Sequence, residues 1–132
     1  MVLDRLLTQR NTINLRKQNI FYVNTITLSY DNYMWLFDEE EYRLKKIDEE
    51  GKILQSSTDW RMLFDSVPAP VKIIDRDNFV YLYDPAKGFY IFDYYSGFKN
   101  RLLFLNWTNV EVNRNTVYGF NTDKLYSYEL KS

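Results

Sequence analysis

The stretch DNFVYLYDPAKGFYIFDYYSGFKNRLLFL, residues 77–105, decides the fold of this chain. It contains two runs of aromatic and aliphatic residues, at 79–83 and 89–92, and an aspartate follows each run. Pro-Ala-Lys-Gly separates the runs and Tyr-Tyr-Ser-Gly follows the second, and Pro and Gly supply the backbone angles of tight turns. The stretch therefore predicts strand, turn, strand, turn, strand.

The same pattern occurs three times along the chain. An Asp-Asn or Arg-Asn pair precedes YMWLFD at 33–38, FVYLYD at 79–84 and TVYGFN at 116–121. Asp31 and Asp77 are 46 residues apart, and Asn78 and Asn115 are 37 residues apart. Similar strand-rich units at a spacing of about 40 residues indicate a repeat protein.

The first two units contain four predicted strands, A to D, and the third contains strands A to C. Strand B is the run at 33–38, 79–84 and 116–121. Strand A lies at 22–28, 71–74 and 110–112, strand C at 44–48, 89–93 and 125–129, and strand D at 52–54 and 102–104. The N-terminus fits the same frame, with residues 2–4 as a strand C and 12–15 as a strand D, which gives 13 predicted strands. A four-stranded antiparallel unit of this length is typical of a β-propeller blade.

We therefore predict an all-β, β-propeller-like fold for residues 1–132 as a single domain. Its blade repeats lie at about 1–15, 20–58, 70–105 and 110–130. A closed sandwich or barrel is the alternative, but its strands have no reason to resemble one another at a fixed offset. Propellers close with about four to eight blades, and this chain contains about three. Three arrangements are therefore possible: the C-terminal part of a larger propeller, half of a six-bladed ring of two copies, or an arc capped by another protein. We favour the first.

Composition excludes several classes of function. Aromatic residues make up 18% of the chain, which suits half-buried strands better than helices. The net charge of -1 is spread evenly, so we expect no nucleic-acid partner. The chain contains neither Cys nor His, which removes disulfides, thiolate and imidazole metal sites and Ser-His-Asp catalysis. We expect no cofactor and no metal.

Two runs resemble the blades of uncharacterised bacterial β-propeller proteins of about six blades. They are YDNYMWLFDEEEYRLKKIDEEGKIL at 30–54 and VYLYDPAKGFYIFDYYSGFKNRLLF at 80–104. The resemblance implies further blades, an export signal and a location in the periplasm or cell envelope. Residues 1–5 lack the basic start and apolar core of a signal peptide, and no apolar run is long enough to span a membrane. We expect the chain as given to carry no targeting segment and no membrane insertion.

Aromatic residues outside the strands are the candidate ligand-binding residues. Tyr94 and Tyr95 follow the second strand C, and Trp60 and Trp107 lie in the connections between units. Exposed rings in loops stack on sugars or on partner side chains. The favoured alternative is that such rings fill the space between neighbouring sheets. The aromatic residues that alternate along strand B are predicted to be core: Trp35, Phe37, Tyr81, Tyr83 and Phe120.

Carboxylates offer the only catalytic chemistry that this composition suggests. A glycosidase needs two acids on either side of the scissile bond. The acids that end strands B and C, however, recur from unit to unit, which favours a local role in fixing turns. The acidic stretches at 38–41 and 48–50 lack the spacing of a calcium loop and are predicted to be solvated turns.

The sequence thus predicts a non-catalytic binding or scaffolding module with a protein partner or self-association. A carbohydrate-binding or carbohydrate-active propeller is the alternative, and it would use the loop aromatics and carboxylates. An enzyme is the less favoured interpretation.

Overall fold

The computed structural model describes residues 12–18, 20 and 22–130 of the chain, which form three antiparallel sheets and two short 3₁₀ helices, Leu15–Gln18 and Trp60–Met62. The sheets follow one another along the chain, and each strand pairs with its sequence neighbours. Sheet 1 contains β1 (Val23–Leu28), β2 (Met34–Asp38), β3 (Arg43–Ile47) and β4 (Ile53–Ser56). Sheet 2 contains β5 (Lys72–Arg76), β6 (Phe79–Asp84), β7 (Gly88–Asp93) and β8 (Phe98–Leu102). Sheet 3 contains β9 (Asn109–Asn113), β10 (Thr116–Asn121) and β11 (Lys124–Glu129).

Each sheet corresponds to one predicted repeat unit, so the all-β prediction and the repeated sheet architecture are confirmed. The corner between strands A and B is a two-residue hairpin turn in sheets 2 and 3. Asp77 and Asn78 have φ angles of 55° and 70°, and Arg114 and Asn115 have φ angles of 49° and 65°. Two consecutive residues with positive φ form a type I′ turn, whose twist matches that of the flanking strands. The Asn residues suit this conformation because their side chains tolerate it.

Aspartates at the strand ends fix the following turns, as predicted. Asp93 Oδ1 accepts hydrogen bonds from the backbone amides of Tyr95 at 2.8 Å and Gly97 at 2.9 Å. Asp84 Oδ1 accepts one from the amide two residues on at 2.8 Å, and Asp38 Oδ1 does the same at 3.0 Å. Each carboxylate thus satisfies backbone donors that the turn leaves unpaired.

Sheet 2 lies between the other two sheets and contributes to both main cores. Its β5 contacts β1 on one side and β9 on the other, so the first strands of the three sheets lie next to one another. The three sheets form no closed ring within the described part of the chain. The core between sheets 1 and 2 contains Trp35, Phe37, Leu44, Trp60, Ile73, Val80, Leu82, Tyr90 and Phe92. The core between sheets 2 and 3 contains Ile74, Tyr81, Tyr83, Phe89, Trp107, Val110, Val112 and Val117.

Strands β2 and β6 are buried on both faces, which confirms four of the five predicted core aromatics on strand B: Trp35, Phe37, Tyr81 and Tyr83. The prediction for Phe120 is wrong, because its side chain is 43% exposed. In sheet 3 only one face of β10 packs against sheet 2, and Phe120 lies on the other face.

One predicted strand is absent, and several strand boundaries differ from the prediction by one or more residues. Residues 12–14 form no strand, and the chain continues as the 3₁₀ helix Leu15–Gln18, so the predicted strand D at 12–15 is wrong over the described residues. The predicted strand at 2–4 and residue 11 lie outside the described residues. The last strand of sheet 2 is β8 (Phe98–Leu102) rather than 102–104, because a tight turn after Asp93 starts the strand earlier.

Candidate functional site

The two tryptophans in the connections between sheets are core residues. Trp60 is 0% exposed, and its ring lies 4.3 Å from that of Phe37 and 5.1 Å from that of Phe92, measured between centroids. Trp107 is 7% exposed, and its ring lies 4.7 Å from that of Phe104. Each tryptophan therefore fills the space between consecutive sheets, which was the favoured alternative to ligand binding for these residues. Neither ring offers an open face to a ligand.

The two candidate tyrosines line a cleft between sheets 1 and 2, here called the tyrosine cleft. Its volume is about 580 Å³. From sheet 1 and its turns it is lined by Tyr30, Asp31, Lys46 and Gln55, and from sheet 2 and its turns by Asn78, Phe79, Asp93, Tyr94, Tyr95 and Lys99.

The tyrosine pair Tyr30 and Tyr94 joins the two sides of the cleft. Their ring centroids are 4.8 Å apart with the planes tilted by 32°. Tyr30 is 71% exposed, and Tyr95, next to the pair, is 86% exposed. Because the turn after Asp93 holds the Tyr95 backbone amide, the exposed ring projects from a fixed turn.

Lys46 supplies a positive charge at the sheet 1 side of the cleft. Its Nζ donates a hydrogen bond to Asp31 Oδ2, and it lies 5.8 Å from the ring centroid of Tyr30 and 5.5 Å from those of Tyr33 and Trp35. Cations at this distance are attracted by the negative face of an aromatic ring. The ammonium group therefore interacts with one carboxylate and three aromatic rings of the protein.

The ion pair sets the charge state of Asp31. Partial burial favours the neutral acid, but the hydrogen bond from Lys46, the positive charge of Lys46 and the nearby polar groups of Ser29 and Tyr33 together favour the carboxylate more strongly, so the pKa of Asp31 lies below its ordinary value of 3.8. Asp31 is therefore ionised at neutral pH. A general acid needs the opposite shift.

Asp75 connects the cleft to the core between sheets 1 and 2. Its Oδ2 accepts a hydrogen bond from Trp35 Nε1 at 2.9 Å, and its Oδ1 accepts one from the Tyr94 hydroxyl. Burial, together with this bond and the negative charge of Asp75, raises the pKa of Tyr94. Tyr94 is thus a neutral hydrogen-bond donor whose ring orientation is fixed by sheet 2.

The sequence predicts Tyr94 and Tyr95 as site residues, but it does not predict Tyr30, Lys46 or Asp75. Two charged residues gave a signal in the sequence: Lys46 lies within the predicted strand C at 44–48, and Asp75 directly follows the predicted strand A at 71–74. A charged group in a half-buried strand requires a partner. The sequence could not show that both residues belong to one cleft.

Among the described residues, no group of acidic side chains forms a metal site, and no helix is long and apolar enough to cross a membrane.

Comparisons with known proteins support the fold only. No family model and no curated protein sequence matches the chain. The crystal structure of the computationally designed Ika8 protein is similar, with a TM-score of 0.56 and 13% identity over 82% of this chain and 33% of Ika8. The computationally designed Ika4 protein has a TM-score of 0.51 and 9% identity over 94% of this chain and all of Ika4. The chain therefore spans about a third of the length of Ika8. At such identities the likeness concerns the arrangement of sheets.

Proposed function

We propose that this protein is a non-catalytic binding module of the β-propeller type, and that the tyrosine cleft binds a polyhydroxylated ligand, a carbohydrate. The observation that carries the proposal is the exposed ring of Tyr95 beside the tilted pair of Tyr30 and Tyr94, at the rim of a polar cleft.

The repeat and the packing support the propeller assignment. Units with one strand order recur along the chain, and their first strands lie side by side, as expected when sheets are arranged around an axis. The resemblance of residues 30–54 and 80–104 to blades of exported bacterial propellers agrees with this assignment. A cell-envelope setting, where glycans are abundant, is part of the proposal.

The chemistry of the cleft suits a sugar. The apolar face of a pyranose packs on an aromatic ring, and Tyr95 offers such a ring. Hydroxyl groups of a sugar need both donors and acceptors, which Lys99, Gln55 and Asn78 provide at the same cleft. A site with one aromatic platform and several polar groups is typical of small-ligand recognition.

The state of the acids in the cleft supports binding without hydrolysis. Asp31 is committed to Lys46, and its pKa is lowered rather than raised. Asp93 accepts two backbone hydrogen bonds and lies 3.5 Å from Lys99 Nζ. Each acid thus has a structural partner within the protein, Lys46 for Asp31 and Lys99 for Asp93.

A screen of the labelled protein on an oligosaccharide array, followed by calorimetric titration of the strongest oligosaccharide, tests the proposal. We expect Tyr95→Ala to weaken binding about tenfold, the value of one aromatic contact. Tyr22→Ala is the matched control, since Tyr22 is 59% exposed and lies outside the cleft. Both variants should unfold at the temperature of the parent protein.

Absence of binding across the array would overturn the proposed ligand class. Equal weakening by Tyr95→Ala and Tyr22→Ala would overturn the proposed site, since it would show that any exposed ring contributes.

A further inference from the structure

The outer face of sheet 3, which points away from sheet 2, is exposed. The residues at the equivalent positions of sheets 1 and 2 are buried. Tyr118 occupies the position of Tyr81 in sheet 2 and of Trp35 in sheet 1, according to the 37- and 46-residue offsets. Trp35 and Tyr81 are at most 2% exposed because the following sheet covers them, whereas Tyr118 is 38% exposed. Leu125, which pairs with Phe120 on this face, is 70% exposed.

The outer face of sheet 1, which also points away from sheet 2, is exposed where the equivalent faces of sheets 2 and 3 are buried. Ile26 pairs with Leu36, as Ile73 pairs with Leu82 and Val110 with Gly119. Ile73 and Val110 are 4% and 1% exposed because the preceding sheet covers them, but Ile26 is 56% exposed. Its neighbour on the same face, Leu28, is 59% exposed. Among the described residues, therefore, no sheet precedes sheet 1 and none follows sheet 3.

Ile20, which precedes β1, covers only part of this face. Ile20 packs on Leu36 and Ile47 of sheet 1. Trp107, in the connection before sheet 3, packs on Gly119, which is the equivalent of Leu36. In sheets 1 and 3 a residue that precedes the first strand thus covers the middle of the second strand, β2 or β10. The first strand, β1 or β9, is not covered by that residue and can contact a preceding sheet. Ile20 thus fills part of an interface whose remainder, at Ile26, is open.

We propose that the exposed faces of sheets 1 and 3 bind each other between two copies of this chain. Sheet 3 of each copy packs against sheet 1 of the other, and the two copies form a closed ring of six sheets.

A second copy is the occupant that the two faces fit. The face at Tyr118 is equivalent to the faces with which sheets 1 and 2 contact the next sheet. The face at Ile26 is equivalent to the faces with which sheets 2 and 3 contact the previous sheet. One chain therefore carries both halves of the interface. Six sheets lie within the range of about four to eight blades at which propellers close. Two-fold closure uses the interface twice, which leaves neither face in water.

Light scattering on the purified chain tests the proposal, with an expected mass twice the 16.1 kDa of the chain. Leu125→Glu on sheet 3 and Ile26→Lys on sheet 1 should each weaken dimerisation at least about 100-fold, since each places an unpaired charge in the interface. Met62→Glu is the control, because Met62 is 80% exposed in the connection between sheets 1 and 2. All three positions are exposed, so the variants should fold as the parent does.

The double variant Ile26→Lys with Leu125→Glu separates the head-to-tail ring from other dimers. The equivalents of Leu125 and Ile26 share one core at both observed interfaces, Leu44 with Ile73 and Phe89 with Val110. In the ring a lysine thus enters the same interface as a glutamate, and dimerisation should recover by at least about tenfold over either single variant.

A monomer, an assembly larger than two chains, or a dimer that responds to only one of the two faces would overturn the proposal. A monomer would mean that a second copy of this chain does not cover the two faces. The tyrosine cleft lies within one copy, so oligosaccharide binding by a monomeric variant remains a separate measurement.

Discussion

Replacing Gly119 with alanine is expected to destabilise the packing of sheet 3 on sheet 2, because the indole of Trp107 lies directly on this glycine. A Cβ atom at position 119 would lie 2.2 Å from Cδ2 of Trp107 and 2.3 Å from Cε2 and Cε3. Carbon atoms in contact are about 3.5–4.0 Å apart. The indole would therefore have to move by more than about 1 Å.

The surroundings of Trp107 resist such a movement. Its ring lies 4.7 Å from that of Phe104, 6.1 Å from that of Tyr83 and 6.0 Å from that of Tyr128, between centroids. Its backbone amide donates a 2.9 Å hydrogen bond to the Tyr83 hydroxyl. Overpacking a core costs about 1–3 kcal/mol, and alanine gains about 0.5–1 kcal/mol over glycine within a strand. The expected net loss in the free energy of unfolding is about 1–2 kcal/mol.

Urea denaturation of four proteins measures this loss: the parent, Gly119→Ala, Trp107→Leu and the double variant. Trp107→Leu removes the ring that the new methyl group would meet. In that background Gly119→Ala should be neutral or should stabilise the protein by up to about 1 kcal/mol. The same loss in both backgrounds, or no loss in the parent, would refute the steric argument.

Three further variants test other parts of the structure. Trp35→Ala should lower the free energy of unfolding by about 3–5 kcal/mol, the cost of truncating a buried large aromatic residue; a loss below about 1 kcal/mol would contradict its burial. Tyr94→Phe should cost about 1–3 kcal/mol in the same assay, because it removes a donor to the Asp75 carboxylate; an unchanged stability would show that this bond contributes nothing. Asp31 has a lowered pKa in the folded state, so its pairing with Lys46 stabilises the protein above the ordinary pKa of 3.8 and this contribution is lost as the pH falls through the folded value. Asp31→Asn should therefore be less stable than the parent at pH 7, and this difference should shrink as the pH falls below 3.8, so a difference that is independent of pH would contradict the pairing.

Much of the fold was predictable because local signals and the repeat agree. The Asp77-Asn78 corner marks a two-residue turn, and the alternation along residues 79–83 marks a strand, so unit boundaries follow from adjacent residues. Phe120 was mispredicted because alternation shows which residues share a face but not whether a neighbouring sheet covers that face. The same lack of long-range information led to the predicted strand at 12–15.

The candidate site was only partly predictable. Tyr94 and Tyr95 stand out in sequence because they follow a strand and lie next to a glycine-containing turn. The buried state of Trp60 depends on contacts with residues more than 20 positions away, such as Phe37 and Phe92. A connection between sheets places a large ring either in solvent or in the space between them, and only the three-dimensional packing decides which.

The central position of sheet 2 has a consequence for how the protein opens and folds. Because it shares one core with each neighbour, its amide groups exchange with solvent only after both neighbours have been lost, whereas β11 at the outer edge of sheet 3 can fray alone. In a monomeric variant such as Leu125→Glu, protection from hydrogen exchange should therefore be greatest in β6 and β7 and should decline outward in both directions. Such a gradient is the behaviour of a one-dimensional array, in which order spreads from a nucleus through successive neighbours.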